Sequence, residues 1–164
     1  MPMVDDLLFI KRFRETKAET ELQKSRAAVV LAQKAEKAAE RALDEFVHFA
    51  SAQEKAWYED LCSRLVKLRE IENVQQDVAG LKQTELKHVE TLDTRKVEHV
   101  QAVKQMEESV VRMRDASVAR QKFVELARNF HALAAREQER KEELELEELA
   151  SIRRDREEWG EADA

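Results

Sequence analysis

Between Pro2 and Gly160 only Gly80 breaks the run of residues that a helix accommodates without strain. Glycine and proline together make up about 12% of an average chain and supply most of its turns. Here there are two glycines and one proline in 164 residues, so the chain has few places at which to reverse direction. Most of the remainder is Ala, Glu, Lys, Arg, Leu, Gln and Val, largely strong helix formers. With 39% of residues charged and 5% aromatic, little is available to fill a compact interior. The composition predicts long helix or coiled coil rather than a globular domain.

Pro2 suits a first helical turn, and Asp5 and Asp6 fall where the positive end of a helix dipole favours carboxylates, so a helix is expected from about residue 3. Leu22, Val29, Leu43, Ala50 and Trp57 form one heptad series, and Ala18, Ala32, Ala39 and Phe46 a second. These are the two seam positions of a coiled coil. A flanking row of Ala28, Ala35, Ala42, Phe49 and Ala56 lets a partner helix approach closely. The pattern returns in the second half through Ile71, Val74, Val78, Leu81, Leu92, Val103, Met106, Val110, Met113, Val124 and Ala127, which predicts a second long helix.

If the halves fold on each other, facing residue numbers sum to a constant, and a sum of about 135 sets seam opposite seam. Val29 then faces Met106, Leu43 faces Leu92, Trp57 faces Val78, and the acidic seam residue Glu36 meets His99. The connection falls at residues 62 to 72, which carry no turn signature. A slip of three heptads, to a sum of about 156, also matches the seams. It sets Glu36 opposite Arg120 and moves the tip beside Gly80. A parallel homodimer is the third arrangement. Beyond Ala134 the seam fails, and Glu137 with Lys141, Arg153 with Glu157 and Arg154 with Glu158 are spaced to support a solvated helix by ion pairing. Leu144, Leu149, Ile152 and Trp159 offer a sparse one-sided face, Gly160 a C-terminal stop, and residues 160 to 164 a frayed tail.

Chemistry is hard to place on this chain. Two glycines cannot build a phosphate-binding loop, and His48, His88, His99 and His131 include no pair at the spacing of a helical metal site. No catalytic residue, metal site or cofactor is expected. Cys62 reads as a packing residue rather than a nucleophile. A net charge of -6 disfavours nucleic acid, and the longest apolar run is far too short to span a bilayer. A soluble, cytoplasmic protein is expected. Against this acidic background Phe9, Lys11, Arg12, Phe13, Arg14 and Lys17 cluster at one end, and an antiparallel fold would bring Arg120, Lys122 and Arg128 beside them. That end reads as basic and aromatic, suited to an acidic partner.

Three stretches resemble the YscO/FliJ family of type III secretion and flagellar export stalk proteins, with the YscO type nearer. "DDLLFIKRFRETKAE" is similar to the family's apolar-then-basic opening of helix one. "LVKLREIENVQQDVAGLKQTE" resembles the segment where a short connection leads into helix two, and "ARQKFVELARNF" the Lys-Phe-x-Glu-Leu block, here Lys122, Phe123, Glu125 and Leu126. A glycine-poor connection and a denser C-terminal charge depart from the family pattern.

The resemblance implies a non-enzymatic protein of the bacterial cytoplasm, docked at the inner-membrane secretion apparatus. Its open end would insert into the hexameric export ATPase and link it to the cytoplasmic domain of the export gate, with secretion chaperones as further partners. Carried over by position, Phe9, Lys11, Arg12, Arg14, Lys122, Phe123, Leu126, Arg128 and Phe130 are the ATPase contacts, and exposed residues Phe46, Phe49, Val78 and Leu81 the gate contacts. The resemblance also favours the earlier tip. The expected fold is all-α: one monomeric two-helix antiparallel coiled-coil hairpin over residues 1 to 164. Helix one covers about 3 to 62, the connection 62 to 70, and a longer helix two about 70 to 158. A structural adaptor, or a secretion chaperone without ATPase coupling, is the alternative function.

Overall fold

The computed structural model describes residues 2–162. Two helices account for nearly all of them, α1 (Pro2–Ser63) and α2 (Leu68–Ala162), giving an all-α antiparallel coiled-coil hairpin with the longer helix second. Asp5 and Glu70 lie in the first turns of α1 and α2, where a carboxylate meets the positive end of the dipole. The chain divides into two units: one is Ala18–Arg112, and the other combines Met1–Lys17 with Met113–Ala164.

In the unit Ala18–Arg112 the two helices run antiparallel from the connection. Only Ala18, Leu22, Val78, Leu92 and the polar Ser109 are buried there, so the core is a single seam rather than a layer. Polar residues enter that seam as pairs. His99 Nδ1 lies 2.6 Å from Glu36 Oε2, and Ser109, at 2% exposure, shares a 2.9 Å hydroxyl hydrogen bond with Ser25. A buried hydroxyl without such a partner would cost about 1–3 kcal/mol. Glu36 therefore pairs with His99, as the first of the two expected registers requires, and not with Arg120.

The reversal occupies residues 64–67. It is made without glycine, by a side-chain cap. The Lys67 backbone N–H donates to Glu70 Oε2 at 3.3 Å, while the Lys67 carbonyl accepts from the Glu70 N–H at 3.0 Å. This is the acidic half of a capping box, with Lys67 in the place usually held by serine or threonine. Arg64 ties the two helix ends together, at 3.2 Å from Asp60 and 3.3 Å from Glu70, and its hydrogen bond to Asp60 holds its pKa above the ordinary value. Cys62 in the last turn of α1 is exposed, so it does not pack as the sequence suggested.

Two further expectations change. Gly80 lies inside α2 with open space where a Cβ would be, so it marks neither a turn nor a close approach. Gly160 is no helix stop: it lacks the left-handed conformation of a C-terminal cap, and α2 runs on to Ala162. The frayed tail expected over residues 160–164 lies partly outside the described residues. Among the described residues no helix is long and apolar enough to cross a membrane.

Candidate functional site

In the second unit, α1 residues 3–17 pair with α2 residues from Met113 to His131, and polar pairs join a seam that is otherwise mostly apolar. His131 Nε2 lies 3.3 Å from Asp5 Oδ1, and Lys11 Nζ sits 5.1 Å from the centre of the Phe123 ring. Arg120 Nε donates to Glu15 Oε2. Val4 and Leu8 on α1 and Val124 and Phe130 on α2 are half-buried beside these pairs, and Ala127 is only 4% exposed. Apolar residues thus line the seam and polar pairs join them, with the Lys11 ammonium held by a ring face rather than by a carboxylate.

The opposite face of the same α1 segment carries the bulk. Phe9 is 71% and Phe13 61% exposed, and Met3, Leu7 and Ile10 are exposed with them. Phe9 and Phe13, four residues apart, are neighbours on one helix face. Arg12, Arg14 and Lys17 are exposed around them.

The residues expected to meet an ATPase therefore separate into two groups. Phe9, Arg12, Arg14, Lys122, Leu126 and Arg128 face solvent, whereas Lys11, Phe123 and Phe130 are turned partly into the seam, with Lys11 and Phe123 occupied by each other. Sequence reading did not anticipate the Glu15–Arg120 or Asp5–His131 pairs, nor Met3 and Ile10 as surface. The signal was present. Val4, Leu8, Lys11, Glu15, Ala18 and Leu22 follow the alternating four-and-three spacing of a seam, which assigns Lys11 and Glu15 inward and Phe9 and Phe13 outward.

The second expected set lies in the unit Ala18–Arg112. Phe46 is half-buried, its ring 5.0 Å from the His88 ring and 6.2 Å from that of Phe49, which is exposed. Leu81 lines a shallow groove with Val47, Ala50 and Glu54. Val78 is only 6% exposed, because it fills a seam position, and it lies at the floor of that groove rather than on the surface. The expectation that all four are exposed fails there.

From His131 to Ala162 every described residue of α2 is exposed. The ion pairs expected between Glu137 and Lys141, Arg153 and Glu157, and Arg154 and Glu158 are not formed. These charges stay hydrated, as exposed pairs gain little by closing. A 3.3 Å hydrogen bond from Gln138 Nε2 to Glu142 Oε1 links one turn to the next. Ile152, Asp155, Arg156 and Trp159 shape a shallow apolar depression. Among the described residues no group of three or more His, Cys, Asp or Glu side chains is arranged to hold a metal ion.

Residues 4–152 match the model of the family described as Type III secretion protein YscO. The 2.8 Å crystal structure of type III secretion protein YscO from Vibrio parahaemolyticus is similar to this fold with a TM-score of 0.85 and 26% sequence identity. That match covers 90% of this chain and 92% of the other. No curated protein matches the sequence. The family model spans both helices and their connection, and the solved structure repeats their arrangement: the chain belongs to the YscO family and has a role in type III secretion.

Proposed function

We propose that the protein is a non-enzymatic central-stalk component that binds the hexameric export ATPase through the end where α1 begins, and links it to the export gate. The observation that carries this reading is the concentration of exposed cations and aromatics at that end of an otherwise acidic chain: Phe9, Arg12, Phe13, Arg14, Lys122 and Arg128. Such a surface steers toward a carboxylate-lined partner and supplies the side-chain types that dominate binding energy. The stalk works in the cytoplasm, at the face of the inner-membrane apparatus. It acts by favouring particular subunit conformations in an asymmetric ring, an effect limited by its differential affinity for them. Phe49 and Leu81 are the proposed gate contacts, with secretion chaperones as further partners.

Pull-down with the export ATPase, followed by an ATPase assay, tests this. Binding with altered turnover is expected. No binding and no effect on turnover would leave an adaptor, and a stoichiometric complex with one exported protein would indicate a chaperone.

A further inference from the structure

Beyond the reach of α1, the apolar face of α2 is a new one and not the tail of the hairpin seam. Continued past Ala127 and Phe130, the seam spacing lands on Lys141, Glu148 and Asp155 and on Glu137, Ser151 and Glu158, and Leu144 is the one large apolar residue it meets. Leu149, Ile152, Arg156 and Trp159 follow the same three-and-four spacing in another phase. Leu149 is 62%, Ile152 53% and Trp159 77% exposed, and the shallow depression shaped by Ile152, Arg156 and Trp159 lies on this face. A longer α1 in the same seam would leave it uncovered, so the face answers to a different partner. Apolar residues contiguous at helical spacing mark a docking surface, and Trp and Arg are the side chains that most often dominate one.

We propose that this face binds the same face of a second copy of the chain, antiparallel, over residues 141–160. Charge selects both the occupant and its direction. Residues 137–148 hold seven glutamates against Arg140 and Lys141, and residues 153–156 hold three arginines against Asp155. Parallel arms would lay glutamate on glutamate, whereas antiparallel arms bring the basic stretch of each beside the acidic stretch of the other. A register in which facing numbers sum to about 301 sets Leu149 opposite Ile152 of the second copy and Glu145 opposite its Arg156. The same register brings the Lys141 ammonium to the Trp159 ring of the second copy. A two-fold axis repeats each contact, so the pair closes on itself and does not grow into a filament. It also supplies a partner to a helix that is marginal without one. An anionic lipid surface suits the arm less well, because the glutamates of 142–148 lie beside Leu149. The end where α1 begins stays outside the contact, so the inference stands apart from the stalk reading.

The test is sedimentation equilibrium of the full-length chain from about 5 to about 500 µM, a range set by the weak pair that so small an interface gives, with a Kd on the order of 100 µM. The average mass is expected to rise from one chain toward two. Glu145→Arg and Arg156→Glu each set like charges face to face at two symmetric places and should weaken the pair about tenfold, and Ile152→Glu should abolish it. The double variant Glu145→Arg/Arg156→Glu restores opposite charges only if the arms are antiparallel in this register, and should pair within about threefold of wild type. All three positions are exposed, so the hairpin folds in every variant, and helix content checks this. A chain that stays single to about 500 µM overturns the proposal, as does a dimer that tolerates Ile152→Glu or that the double variant fails to restore. If the chain stays single and Ile152→Glu instead releases it from phosphatidylserine vesicles or from the export ATPase, the face belongs to that occupant and the proposal fails.

Discussion

Two stretches of α2 are continuous helix for different reasons. From Leu68 to Arg112 the helix has a partner: Val78, Leu92 and Ser109 are buried, and hydrogen bonds to Glu36 and Ser25 cross to α1. From His131 to Ala162 every described residue is exposed, and roughly 45 Å of helix at 1.5 Å per residue stands on its own turns. The contrast separates two ideas usually fused: sequence propensity suffices to write a helix, and a seam is needed to keep it closed. Isolated helices are marginal in water even when every residue favours them.

Amide hydrogen exchange should expose the difference most strongly. Amides of residues 74–108 are expected to be protected about 1,000-fold or more beyond those of 136–160, the ratio for roughly 4 kcal/mol. Comparable protection would mean that the solitary stretch has a partner in solution. Truncations give the next largest contrast. Leu92→Ala should lower unfolding free energy by about 2–3 kcal/mol in urea titration, whereas Leu149→Ala, which vacates no packed site, should change it by less than about 0.5 kcal/mol. At the connection, Glu70→Ala removes the acceptor of the Lys67 N–H and should cost about 1 kcal/mol by thermal melting, while Glu72→Ala serves as the neutral control. Smallest and opposite in sign, Gly80→Ala should stabilise by up to about 1 kcal/mol, since the added Cβ meets nothing within 4 Å. A loss there would show that Gly80 is approached closely in solution.

The fold was legible because little else can be made of a chain so short of turns, and the heptads named both faces. The register was not, and the polar pairs explain why. Glu36–His99, Ser25–Ser109, Glu15–Arg120 and Asp5–His131 are separated by 63, 84, 105 and 126 residues, a constant step of three heptads. That is also the size of the competing slip, which sets Glu36 opposite Arg120 and Ser25 opposite His131 and still brings seam to seam, so the heptads do not choose between the two registers. What breaks the tie is the reversal itself, where Asp60, Arg64 and Glu70 converge. Their cue was three charges at unremarkable spacing rather than a glycine. The candidate site was half legible for a related reason. Basic and aromatic residues identified the right end, but choosing its outward face requires following the seam spacing through Lys11 and Glu15, where apolar content alone misleads.

The short reversal at residues 64–67 also sets an order of assembly. Loop-closure entropy grows with the logarithm of loop length, so each doubling costs about 0.6 kcal/mol when a contact forms unaided. Forming the Asp5–His131 pair first would close 126 residues at once. Starting at the reversal, each new pair closes only a short further stretch, because the preceding pairs already hold the helices side by side. The chain should therefore zip from its connection outward and unzip in the reverse order. The proposed docking end is then the last part to form and the first to loosen, and any partner that grips it there raises the barrier to opening the whole coil.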